Sequence, residues 1–434
     1  MMNLMGFPSY RPNSIYLILF YVWIALSGYL IYRYYQFAPI WNPNDELPHL
    51  DYIDRLANEN RIPSDGEMIS DRSFKFHLQL GVLNPPTFNG TKESIYPIGH
   101  SYEAHQPPLY YICMILPYKV VMGSSMQPRI KLRILRLISY LFHLAGLFMV
   151  FPVFKELRKL YPSRISPEFP YTVFLFMMIT TVDLRAGINN DQMVLLPVML
   201  SLFFLFRYYR TSTFLSGFLA SLFSALSVWV KFTNGLFLVF SFLVILYLAV
   251  KRNSLSFKSI RIISPFILVP FLLIMNGFLF GWDNMLNHQE NKSMLMIFQP
   301  GMFDFKSFLG LQFLEFFSIN YLWIFHNNHW QVGVFFFVSG FAGFIISVLK
   351  NRIYLPYVVS WLIIAVLYCI MFLLNKYVCC VAWFSFRLYT GYLFFFAIAL
   401  LGYLAWPSKA IRSINLLLLA VLYYPAIRYL VLWD

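Results

Sequence analysis

The chain is a succession of apolar stretches, about 16 to 22 residues each, joined by short links that hold most of its basic residues. Crossing the hydrocarbon core of a bilayer takes about 20 apolar residues in a helix. Every backbone group inside the core must find a partner within the protein. Stretches with no alternating pattern can meet that demand only as helices. Such stretches lie near 14–35, 108–124, 134–154, 169–186, 192–208, 213–231, 235–250, 262–281, 331–349, 354–374, 388–406 and 413–431. Several are short, so the sequence predicts an all-α polytopic membrane protein of about 10–12 transmembrane helices.

Composition supports this reading. Only 12% of the 434 residues are charged, against about 25% in soluble domains. A length-based expectation of about three soluble domains therefore does not apply, and residues 1–434 read as one transmembrane unit. The net charge of +14 invites a nucleic-acid reading, but the position of the charges argues against one. Basic residues gather at Lys155–Lys159, Arg207 and Arg210, Lys251–Arg261, Lys350 and Arg352, and Lys409 and Arg412, the pattern of cytoplasmic links. No nucleic-acid partner is expected. The four cysteines lack metal-site spacing. The first apolar stretch has no small-residue cleavage site and reads as a retained anchor.

Three segments are too polar to span: 36–106, 282–330 and 375–387. They are rich in aromatics and are bordered by Trp41, Trp282, Trp323, Trp330 and Trp383, as interfacial segments are. The first is expected to hold surface helices, one of them near 46–58. With the basic links inside, all three segments and "DLRAGINND" (183–191) face outward. The count of crossings then fails to close. Either one stretch between 108 and 186 does not cross, or one basic cluster there lies outside; 108–124, with Pro117 and Lys119, is the weakest span.

The outer segments carry the candidate chemistry. In "NPNDELPHLDYI" (42–53), Asp45 is placed to act as a general base, with Glu46 beside it. The plainer reading is helix capping, with Pro48 in the first turn. Both hold together, because a capped helix fixes its acid. His49 follows Asp45 by four residues, on the same helical face. Asp45, Glu46 and His49 could thus form part of a divalent metal site, although no H-E-x-x-H pattern is present. "YEAHQPPLYY" (102–111) sets Glu103, His105 and Gln106 at the rim of a span started by two prolines. In "GINND" (187–191), Asn190 and Asp191 are either site residues or ordinary turn formers. Lys231 and Arg387 are cations at outer span ends, suited to a phosphate or to snorkelling.

Nucleotide-binding motifs are absent, so an activated donor has to come from the membrane. The acidic pair after the first span, the His-Gln-Pro-Pro-Leu-Tyr-Tyr run, the Asn-Asp turn, the Lys-x-Thr and the late Arg-x-Tyr resemble the integral-membrane glycosyltransferases of the GT-C superfamily. The branch most similar includes protein mannosyltransferases and aminoarabinose transferases. The match is a set of short motifs over 44–392. It implies a GT-C-like bundle with interfacial helices in a large first outer loop. It also implies a polyprenyl-phosphate-linked sugar donor, and Asp45 as catalytic base with Glu46 as its acidic neighbour. His49, Glu103, His105, Gln106, Asn190, Asp191, Lys231, Arg387 and Tyr389 would bind substrate, the two cations at the lipid phosphate. Phe386 and Leu388 depart from the family pattern around Arg387. The acceptor is a glycan, lipid or protein, and the membrane a bacterial inner or plasma membrane or the endoplasmic reticulum. The competing reading is a lipid or solute transporter or flippase. It calls for ionisable residues at mid-membrane and for internal repeats; here the acids sit in loops and no repeat is visible.

Overall fold

The structure, a computed structural model, describes residues 46–64, 67–81, 101–160, 167, 169–180, 187–231, 234–253 and 257–280, with further helical positions between 14 and 32. Every element among them is a helix. Among the described residues two helices are long and apolar enough to cross a membrane: Pro128–Leu160 and Asp191–Thr211.

The first outer segment begins with α1 (Glu46–Asn58), at the predicted position. It ends one residue before Glu59, whose N–H still reaches Arg55 O, and Asn60 then turns left-handed at φ 53°, a conformation that asparagine tolerates. Helix α2 (Asp71–Gln79) starts at Ser70, whose side chain accepts the Ser73 N–H. A short 3-10 turn, Tyr102–His105, leads into α3 (Leu109–Met122).

Helices α4 (Pro128–Phe148) and α5 (Val150–Leu160) form one rod. The joint lies where Pro152 has no N–H to offer the carbonyl of Phe148. The basic residues Lys155, Arg158 and Lys159, expected in a link, extend this rod as helix. Then come α6 (Phe169–Thr180), α7 (Asp191–Thr211), α8 (Phe214–Val230) and α9 (Gly235–Asn253). The expected span at 262–281 is broken into α10 (Phe257–Ile263), a 3-10 turn at Ser264–Ile267 and α11 (Leu268–Phe280). Pro265 and Pro270 remove two backbone donors there.

Tertiary contacts set the directions. The α4–α5 rod runs parallel to α7. A Cβ on Gly146 would lie 2.8 Å from Leu196 N, and Arg210 Nε donates to Glu156 Oε2 at 3.0 Å. Helix α8 returns antiparallel, with Ser201 Oγ on Ala220 O at one level and Lys231 beside Asp191 at the end. Helices α9 to α11 go down and back again, with Ile262 against Gly217 and Trp229 Nε1 donating to Leu268 O. The bundle thus has a basic end, with Lys155, Arg158, Lys159, Arg207, Arg210 and Arg261, and an opposite end where Asp191 and Lys231 meet.

The expected weak span at 108–124 stands apart from the bundle. Because Gly146 lies against Leu196, the start of α7 is level with about residue 141 of α4. The preceding part of α4 projects beyond the bundle by roughly 20 Å. Helix α3 lies antiparallel to that projection: Tyr110 OH meets Ser139 Oγ at 2.7 Å, and Lys131 Nζ donates to Met122 O at 2.9 Å. It therefore runs away from α7–α9 rather than beside them. Arg129, Lys131 and Arg133 sit on the projection, far from the basic end.

Helix α1 packs along α3, His49 against Tyr111 and Asp54 against Tyr118. Leu47, Leu50, Ile53, Tyr110, Tyr111, Met114, Leu132, Leu135, Ile188, Val194 and Val230 form one buried cluster. Each such side chain contributes on the order of 1.5–3 kcal/mol. The cluster joins the first outer segment to the start of α7 and the end of α8, which is what places the candidate residues.

Candidate functional site

Ion pairs and hydrogen bonds finish what the apolar cluster begins. Glu46 is fully buried and takes two hydrogen bonds from Arg136, at 2.7 and 2.6 Å, and one from the Ile188 N–H at 3.0 Å. A buried carboxylate is tolerated when its oxygens are met in this way. Glu46, expected as a catalytic residue beside Asp45, has both carboxylate oxygens engaged in these bonds. Its oxygens tie α1 to α4 and to the turn before α7. Asp45 itself lies outside the described residues.

His49, one turn along α1, is buried. Its Nδ1 lies 2.8 Å from Tyr111 OH, and its Nε2 lies 4.0 Å from Glu103 Oε2. Tyr52 OH donates to Gln106 O at 3.3 Å, and burial pushes this phenol well above its usual pKa, so it remains a donor. Gln106 Oε1 accepts from Asn190 Nδ2 at 3.1 Å, and the same amide donates to Val230 O at 3.2 Å. Asn190 thus fastens the segment before α3 to the end of α8. Asn189 Oδ1 accepts the Asp191 N–H at 2.8 Å, the local turn bond that asparagine favours. Asp191 then meets Lys231, both within 5% of complete burial.

Seven of the sequence-predicted residues, Glu46, His49, Glu103, Gln106, Asn190, Asp191 and Lys231, therefore come together at one end of the bundle. They arrive from segments as far apart as 46 and 231. His105 closes the 3-10 turn beside them. Arg387 and Tyr389 lie outside the described residues, as do the segments 282–330 and 375–387. Lys231, expected as a cation open to phosphate, already holds an internal carboxylate. The partial metal site is not assembled from its described members, since Glu46 turns to Arg136 and His49 to Tyr111. Among the described residues no three His, Cys, Asp or Glu side chains are placed to hold a metal ion.

Arg136 and Tyr111 were missed. The signal for Arg136 was present: an arginine inside an apolar stretch requires a partner. Tyr111 closes the motif "HQPPLYY" that drew attention to its neighbours.

The remaining acids of the first outer segment form its frame. Asp51 accepts from Ser70 N, Ser101 Oγ and Arg55 Nε at 2.7–2.9 Å. Asp54 accepts from Tyr118 OH, Ser70 Oγ and Asn58 Nδ2 at 2.7–2.8 Å, and from Arg72 at 3.1 Å. Arg55 also reaches Glu67 and Met68 O. Hydrogen bonds from Arg61, opposed by partial burial, hold the Glu67 carboxyl down to about 2. Asp51 and Asp54 are thus satisfied internally and belong to the scaffold.

Comparison of the chain with protein-family models, with curated proteins and with solved structures gave no match.

Proposed function

We propose that this chain is a multi-pass membrane glycosyltransferase of GT-C type. It transfers a sugar from a polyprenyl-phosphate donor to an acceptor hydroxyl at the outer face of the membrane, with Asp45 as general base. The observation that carries the proposal is the meeting of seven motif residues at the end of the bundle opposite its basic end. That separation matches a cytoplasmic basic rim and an outward-facing site.

Outward-facing apolar rows support the membrane setting. Val239, Leu243 and Tyr247 line α9, Leu137, Leu141 and Phe148 line α4, and Phe271, Ile274 and Met275 line α11, all of them exposed. Rows of this extent on a soluble surface require a partner. The parts at the site match the chemistry. Transfer from a phosphate leaving group needs one base for the attacking hydroxyl and a cation where phosphate charge develops. Glu46, next to Asp45 in the chain, is clamped by Arg136. Lys231 offers three ammonium donors, of which Asp191 engages one. Ionisable residues are absent from the buried middle of α7 and α8, which counts against the transporter reading.

The test is binding of undecaprenyl phosphate to the purified chain. Wild-type protein is expected to bind it, and Lys231→Ala to lose on the order of 2–5 kcal/mol of affinity. Equal affinity of the two proteins would remove Lys231 from the donor site.

A further inference from the structure

The α3–α4 hairpin carries cations at the site end of the molecule, against the positive-inside trend. Residues 115–137 hold Lys119, Arg129, Lys131, Arg133 and Arg136 and no acid. Arg136 is taken by Glu46. Among the described residues no carboxylate pairs with the other four; Arg129 and Lys131 reach only the carbonyls of Leu80 and Met122. Because Tyr110 faces Ser139 and the two helices run antiparallel, Lys119 is level with about residue 130 of α4. The four cations therefore form one belt around the hairpin.

Lengths along the rod give the belt a partner. The rise from Arg133 to Lys155 along α4–α5 is about 33 Å, close to the roughly 30 Å of a bilayer's hydrocarbon core. With Lys155 at the inner phosphates, Arg133 meets the outer ones, and Arg129 stands about 6 Å further out, within the headgroup layer. The exposed row Leu137, Leu141 and Phe148 of α4 runs on into this level, where α3 adds Ile112, Leu116 and Val120, also exposed. Apolar side chains beneath and between cations are the pattern of an interfacial element. We infer that the α3–α4 hairpin is a lipid-docking element. Its exposed apolar face lies among the acyl chains of the outer leaflet, and Lys119, Arg129, Lys131 and Arg133 bind the phosphates of acidic phospholipids. The start of α7, level with about residue 141, then lies about 12 Å below Arg133, so the candidate site is sunk within that leaflet. The inference rests on the membrane reading above and adds the lipid that this face takes.

The experiment uses the full chain, its four cysteines replaced by serine, in phosphatidylcholine nanodiscs. Leu116→Cys and, separately, Phe148→Cys carry a bimane fluorophore. Quenching is read with brominated phosphatidylglycerol, with the same fraction of brominated phosphatidylcholine, and with aqueous iodide. Lipid bromine is expected to quench both labels more strongly than iodide. At residue 116, phosphatidylglycerol should be enriched about fivefold over phosphatidylcholine, the factor that one basic residue near an anionic surface contributes. The triple variant Lys119→Gln, Arg129→Gln and Arg133→Gln, all at exposed positions, should keep lipid contact at 116 and lose the enrichment. Equal quenching by the two lipids without the triple change overturns the phosphate assignment, and so does a triple variant that keeps the enrichment. A 116 label that iodide reaches first, or that neither quencher reaches because protein covers it, overturns docking in the leaflet. If the 148 label also escapes lipid bromine, the membrane reading falls as well, which separates the two failures.

Discussion

Glu46 and Arg136 bring opposite charges into an interior that tolerates neither alone. Removing one partner leaves the other buried without compensation, at a cost of about 3–5 kcal/mol. Glu46→Gln and Arg136→Met are each expected to lower the unfolding temperature in detergent. The double variant should recover much of the loss, because a neutral pair needs no compensation. Additive losses would show that the two side chains act separately. A second residue-scale prediction concerns Glu67. Its carboxyl is held down to about 2 in the folded chain, below its ordinary value of 4.5. A group depressed in the folded state contributes stability above its unfolded pKa and loses it as pH falls through the folded one. The Arg55–Arg61–Glu67 clasp should therefore loosen between pH 4.5 and about 2, seen as faster amide exchange around residues 59–70. Glu67→Gln should remove that dependence. Because Glu67 is partly exposed, the effect is local and weakens with salt.

Among the elements, α3 shows what apolarity alone leaves out. Leu109–Met122 reads as a weak span, and its composition carries no sign of direction. Its place follows from Tyr110 against Ser139, His49 against Tyr111 and Asp54 against Tyr118, which no local pattern encodes. Helix α1, by contrast, was legible because its turn-forming start and Pro48 are local signals. The placement predicts that the α3–α4 turn lies on the same side as the site. With the four native cysteines replaced by serine, Ser125→Cys should react with an impermeant maleimide from the outer face and Ser212→Cys only from the inner face. Reaction of both from one face would refute the topology. The parallel packing of α4 on α7 depends on Gly146, where an added Cβ would meet backbone at 2.8–3.0 Å. Gly146→Val should cost about 1–3 kcal/mol by overpacking, measured by thermal unfolding.

At the scale of the whole molecule, the separation of charge was the most legible feature. Positive links at 155–159, 207–210 and 251–261 predicted one face, and the described helices carry those links to one end. Which polar residues act and which only hold the fold was not legible. Glu46, Asp51 and Asp54 look like candidate acids in sequence, while their carboxylates are taken up by Arg136, Arg55, Ser70, Ser101 and Tyr118. Asn190 and Lys231 likewise resemble ligand residues in sequence, while their partners are Gln106, Val230 and Asp191. The proposed base is Asp45, the chain neighbour of the Glu46 that Arg136 clamps. The measurement that tests it is transfer of labelled sugar from polyprenyl-phospho-sugars by purified protein, with detergent-solubilised membranes as the acceptor pool. Asp45→Asn keeps the size of the side chain but cannot take a proton. It should fold, still bind undecaprenyl phosphate, and lose turnover by about 10²–10⁴-fold. An Asp45→Asn protein with wild-type turnover would contradict the account.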